Sequence, residues 1–164
     1  MKLSIILFLI LAVPVARPAL RAQQSHTYSV TINPISLVYG DFQSMVEKRF
    51  ANKTGLAAME YVSFNRAPVF YRIGALLKYY IIGSFEQGAQ AGVQMFYDHF
   101  TSSVDRRTEG VLFLAPIAGY KYIVPFGLTF DLSAGAGPGW QLSGLNGSRF
   151  FTTFFWNLNA GWSF

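Results

Sequence analysis

FFWNLNAGWSF (residues 154–164) closes the chain, and its reading decides the fold. Taken at every second position, it separates into two sets. Trp156, Leu158, Ala160, Trp162 and Phe164 are all apolar, whereas Asn157, Asn159, Gly161 and Ser163 are all small and none is greasy. A repeat of two is the pitch of a β-strand, whose successive side chains point to opposite faces. The segment therefore reads as a strand with one face of large apolar groups, one compact hydrophilic face, and an aromatic ring as its final residue.

The same alternation runs upstream. In GLTFDLSAGAG (residues 127–137), Leu128, Phe130, Leu132, Ala134 and Ala136 oppose Thr129, Asp131, Ser133, Gly135 and Gly137. Near 89–98, Ala91, Val93, Met95 and Tyr97 oppose Gln90, Gly92, Gln94 and Asp98. Near 70–82, Tyr71, Ile73, Ala75, Leu77, Tyr79 and Ile81 oppose Arg72, Gly74, Lys78 and Tyr80. From Tyr28 the pattern holds until Pro34, which lacks a ladder donor and predicts a bulge or an interruption. Residues 42–50 set Gln43, Glu47 and Arg49 on one side, and 56–64 set Met59 and Tyr61 opposite Glu60. Residues 111–122 are apolar on both faces, with Gly119 and Lys121 as the only marks of orientation. Period two and intervening turn chemistry thus predict eight strands. The connections at 51–54, 83–88 and 123–126 are short, and those at 65–69, 99–109 and 141–153 are longer. Such alternation is expected when hairpins of one parity share one side of a membrane. A tight first hairpin at Gly40-Asp41 would break that order.

Composition agrees with an all-β chain. The 164 residues suit one domain and include 15 glycines, 16 phenylalanines and no cysteine. Disulfides and thiolate metal sites are thereby excluded. Charged residues are 13%, against about a quarter in ordinary soluble domains. Residues 1–22 read as a secretory signal peptide: Lys2 is the positive start, Ser4 to Val15 the apolar run, and the small residues that follow, ending at Leu20-Arg21-Ala22, set a cut near Ala22. A retained anchor is the alternative, although a span needs about 20 apolar residues. Residues 23–164 then form the barrel domain. Losing Lys2, Arg17 and Arg21 leaves ten cations against eight anions, so the basic character belongs largely to the leader. No clustered cationic face remains, and no nucleic-acid partner is expected.

Two closed barrels compete. A soluble lipocalin-like barrel turns its apolar face inward around a ligand; a membrane barrel turns it outward to lipid. Residue size favours the second, because eight strands enclose an interior only just wide enough for side chains. The hydrophilic face also carries Glu47, Arg49, Glu60, Arg72, Lys78, Lys121 and Asp131. Facing lipid, a midplane Lys or Arg would cost roughly 2–4 kcal/mol. Facing the lumen, carboxylates and cations can pair, as buried charges must. These residues are therefore predicted to form a polar network in the lumen. Aromatics near strand ends, among them Tyr28, Phe50, Tyr79, Trp140, Trp162 and Phe164, suit two interfacial girdles.

On these residues the chain resembles the small eight-stranded outer-membrane β-barrels of Gram-negative bacteria, the OmpA/OmpX-like group, and within it the barrel-only members. WNLNAGWSF matches their aromatic-ended last strand, and the likeness covers roughly residues 28–164. The resemblance implies an outer-membrane location and a monomeric barrel. It further implies that Trp162 and Phe164 are read by the barrel-assembly machinery. Lipids and lipopolysaccharide become the expected partners, with Arg106, Arg107 and Arg149 in the longer loops.

Catalysis has one candidate. His99 lies in YDHFTSSVD beside Asp98, Ser102 and Ser103, a composition that would suit a lipid hydrolase. All of these fall in one predicted loop, where nothing fixes their geometry, so no enzyme is expected. His26 has no partner in view. No cofactor, phosphate loop or metal spacing is read.

Overall fold

The computed structural model describes residues 26–64, 70–101, 108–142 and 150–164. The expected leader, residues 1–22, lies outside them. Eight antiparallel strands form a closed barrel in sequence order: β1 (Tyr28–Ile32), β2 (Asp41–Ala51), β3 (Thr54–Ser63), β4 (Phe70–Gly83), β5 (Gln87–Thr101), β6 (Thr108–Ile123), β7 (Leu128–Gln141) and β8 (Phe150–Ser163). β8 closes on β1 through pairs from Ser29↔Ser163 to Ile32↔Ala160. Thr27, Phe164 and the connections β2–β3, β4–β5 and β6–β7 gather at one rim, the turn end. The strand ends that flank the other four connections form the opposite rim, the loop end.

The first connection corrects the expected tight hairpin. β1 stops at Ile32, and a five-residue helix, α1 (Pro34–Val38), follows. Asn33 caps it, accepting from the backbone N–H of Ile35 and Ser36. Pro34 occupies a first-turn position where its missing donor is harmless. Of the two readings of Pro34 the interruption therefore holds and the bulge does not, and the first connection, at 33–40, is a longer one.

The walls obey the alternation. Trp156, Leu132, Leu77 and Ile73 are exposed outside; Asn157, Asp131, Lys78 and Glu47 are buried inside. β6, ambiguous in sequence, turns Val111, Phe113, Ala115, Ile117, Lys121 and Ile123 inward. The β6–β7 ladder is interrupted between Phe113↔Gly139 and Ile117↔Gly135. Pro116 and Pro138 fall in that gap, and neither has an N–H to give.

The interior is layered. At the turn end, Phe85 swings inward from the β4–β5 turn, which Gly83 makes possible at φ +83°. Phe85 packs on Tyr80 and Ile123. Above the ionic layer described next, Met45, Ala57, Met59, Leu76 and Ile117 form an apolar layer. Near the loop end, Phe96, Phe113 and Val111 pack together with Phe155 and Phe100 against them. These inward rings were not foreseen. Glycine makes their room: a Cβ on Gly139 would come within 2.5 Å of the Phe113 ring.

Candidate functional site

Four strands bring four charges to one buried point. Lys78 (β4) and Lys121 (β6) face Glu47 (β2) and Asp131 (β7), and all four residues have no solvent exposure. Lys78 Nζ donates to Asp131 Oδ2 at 2.7 Å and to Glu47 Oε2 at 3.1 Å. Lys121 Nζ donates to the same Glu47 oxygen at 3.1 Å. Tyr80 Oη donates to Glu47 Oε1 at 2.8 Å, and Gln90 Nε2 to Asp131 Oδ1 at 3.0 Å. Two carboxylates balance two ammonium groups, so the cluster has no net formal charge. Dehydrating each ion costs several kcal/mol, which only such mutual pairing offsets. Gly55 lies against it: a Cβ there would stand 2.2 Å from Glu47 Oε1, so the carboxylate would have to shift.

The lower boundary of the cluster is aromatic. Lys121 Nζ sits 3.5 Å from the centroid of Phe85, and the Phe85 N–H donates to the Asn52 carbonyl at 3.0 Å. Together the ionic layer and Phe85 fill the lumen at this end.

The remaining candidate residues are distributed elsewhere. Arg72 lies near the loop end, bound by Asp98 through Nε at 2.5 Å and Nη2 at 2.8 Å, with its guanidinium over the Phe96 ring. Arg49 lies at the turn end, 3.6 Å from Glu86. Glu60 corrects the reading: it is on the outer wall, where it accepts from Ser44 Oγ at 3.0 Å. Gly55, Ala57 and Met59 take the inward positions of β3, so strand parity overrode the preference for a buried charge.

Several partners were missed. His26 is not free: its N–H and Nδ1 meet Glu86 at 2.7 and 2.6 Å, tying the start of the barrel domain to the β4–β5 turn. Phe85 had a signal, an aromatic between the turn glycines Gly83 and Gly88. Tyr80 had one as well, two positions from Lys78 and thus on its face. Asp98 was read on the hydrophilic face with Gln94 and also weighed as a partner of His99, but its pairing with Arg72 was not foreseen.

His99 belongs to β5, not to a loop. It stacks on Tyr71 at 4.5 Å, while Asp98, next in sequence, is turned inward to Arg72. Ser102 and Ser103 lie outside the described residues, as do Arg106, Arg107 and Arg149. At the chain terminus, Phe164 stacks on Tyr28 at 6.1 Å, and its carbonyl accepts from the N–H groups of Thr27 and Tyr28 at 2.9 Å. Trp162 is exposed on the outer wall beside Phe126.

Fold and cluster together define the molecule as a closed eight-stranded up-and-down β-barrel with an ionic core. Comparison with protein-family models, curated proteins and solved structures yields no match.

Proposed function

We propose that this chain is an integral outer-membrane β-barrel protein of the Gram-negative envelope, a monomer without a wide pore, with a structural or surface-interaction role. The observation that carries the reading is the inversion of polarity between wall and interior. Outside stand Ile73, Leu77, Ile81, Val93, Leu114 and Leu132; inside stand fully buried lysines and carboxylates. In water this arrangement would expose an apolar belt far larger than soluble monomers tolerate. In lipid it is the expected one.

Further features support the reading. Exposed Tyr28, Phe50, Tyr79, Tyr120, Phe126, Trp162 and Phe164 ring the turn end, and Tyr39, Phe64, Trp140, Phe150 and Phe154 lie toward the loop end. Two such bands suit the two interfaces of a bilayer. On this reading the turn end is periplasmic and the loops are external, within reach of lipopolysaccharide. Trp162 and Phe164 form the signal for the assembly machinery. A ligand-binding barrel in water would need the opposite facing. A hydrolase built on His99 with Asp98 to orient it would need both side chains on one face, and they lie on opposite faces of the wall.

Membrane fractionation with an unboiled-versus-boiled gel tests the proposal. Recovery in the outer membrane with a heat-dependent shift in migration is expected. Full solubility without detergent after leader removal would refute it.

A further inference from the structure

The barrel wall is incomplete on one side. β1 ends where Ile32 pairs with Ala160 of β8 and Ser44 of β2. β8 continues toward the loop end as far as Phe150. Among the described residues, no backbone hydrogen bond reaches positions 150–159 from the β1 side. One absent strand leaves a slot of about 4.8 Å. α1 leans across the upper part of this slot, touching both β2 and β8.

A cavity of ≈ 540 Å³ lies at this slot. Its lining includes lumen-facing Asp41, Gln43, Arg72, Phe155 and Asn157, and also Trp156, whose ring is on the outer wall. The cavity thus reaches the wall along the part of β8 that β1 leaves unpaired, and Ile35, Ser36 and Tyr39 of the first connection line it as well. Its size falls within the roughly 300–1,000 Å³ of small-molecule sites.

The lining is chemically selective. Gln43 is fixed between Asn33 Nδ2 at 3.0 Å and Asn157 Oδ1 at 2.9 Å. Asp41 accepts only from the Tyr61 and Ser63 hydroxyls and makes no ion pair among the described residues. Arg72 is already neutralised by Asp98. Among the described residues the site thus offers a carboxylate and amides but no uncommitted cation, a lining that favours a hydroxyl- or amine-bearing head over an anionic one. Phe155 and Phe70 supply an apolar wall beside these groups.

We infer that the slot is a lateral portal for a single-chain amphiphile. Its hydrocarbon chain lies against Phe155 and Phe70, and a hydroxyl- or amine-bearing head meets Asp41, Gln43 and Asn157. The slot's width admits one chain and not two side by side. The inference rests on the membrane reading above, because the ligand arrives sideways from the bilayer.

The test uses two tryptophan reporters in dioleoylphosphatidylcholine vesicles. In one variant Trp140, Trp156 and Trp162 become Phe and Phe155→Trp reports from inside; Phe151→Trp serves instead if that variant lacks the heat-shifted band. The other variant keeps Trp162 alone, on the outer wall. The probe is a monoacylglycerol brominated in mid-chain, added with or without excess unbrominated monoacylglycerol. Saturable quenching of the inner reporter, reversed by the unbrominated competitor and weakened at least tenfold in half-quenching concentration by Ser36→Phe on α1, is expected. Quenching of Trp162 with none, or none that saturates, at the inner reporter would overturn the portal. If neither reporter is quenched, the membrane reading fails and the portal with it.

Discussion

Lys78 Nζ meets Asp131 Oδ2 at 2.7 Å across the full width of the lumen, joining β4 to β7. Glu47 completes the bridge from β2, so one ammonium group ties together strands that share no ladder. Lys78→Met would leave Asp131 buried with Gln90 as its only hydrogen-bond donor among the described residues, and breaking such a pair costs about 3–5 kcal/mol. Adding Asp131→Leu removes the orphaned charge. The double variant is therefore expected to recover part of that loss, measured as a coupling energy in urea unfolding of the reconstituted barrel. Additive losses would mean that the two groups act independently.

The seal at the turn end rests on one ring. Phe85→Ala removes a fully buried side chain from contact with Tyr80, Ile123 and Lys121. A loss of about 3–5 kcal/mol is expected, as for other buried phenylalanines. Small conductance steps should also appear in planar bilayers where the parent chain shows none. An unchanged unfolding midpoint would contradict the assigned plug.

Outer and inner positions should respond oppositely to charge. Leu77 is 54% exposed on the outer wall and Lys78 is fully buried next to it. Leu77→Lys is expected to cost roughly 2–4 kcal/mol in a bilayer. Glu60→Leu removes the outward carboxylate and should stabilise the bilayer-inserted form by up to about 2 kcal/mol. Unfolding from vesicles measures both; equal tolerance at 77 and 78 would contradict the facing.

The interrupted β6–β7 ladder has a simple repair. Pro116→Val gives back one backbone donor in the gap between Phe113↔Gly139 and Ile117↔Gly135. One net hydrogen bond is worth about 0.5–1.5 kcal/mol, and a shift of that size in the urea midpoint is expected. A lower midpoint would show that the gap has another cause.

Deleting Phe164 removes the stacking on Tyr28 and the last aromatic of the outer wall. The folded, heat-shifted fraction in cells should fall, with the same purified chain still refolding in detergent. An unchanged cellular yield would separate Phe164 from assembly.

The wall was legible in sequence because facing alternates strictly along a strand, so Trp156 and Asn157 could be assigned without knowing their neighbours. Parity also contained the position of Glu60, which was read by charge instead. Three features were beyond period two. Phe85 enters the lumen from a turn, where alternation says nothing. Pro34 has the same local signature at a bulge and at a helix start, and Asn33 before it was the clue to the helix. Strand β6 is apolar on both faces because its inner face meets phenylalanines, not ions, over its upper half. The ionic cluster was foreseen in part: Glu47, Lys78, Lys121 and Asp131 meet, whereas Arg49 and Arg72 pair with Glu86 and Asp98 at opposite ends. Which charge meets which depends on strand stagger, which alternation alone does not give.

The central claim is that the apolar wall faces hydrocarbon. The chain has no cysteine, so single spin labels can be placed one at a time along β7 and β8. Collision rates with oxygen and with a neutral nickel chelate, measured by electron paramagnetic resonance in vesicles, test it most directly. Labels at Leu132, Ala134, Trp156 and Leu158 should favour oxygen, with Ser133 and Asn157 between them giving low values for both. Strong nickel accessibility at Leu132 and Leu158 would place that wall in water and contradict the account.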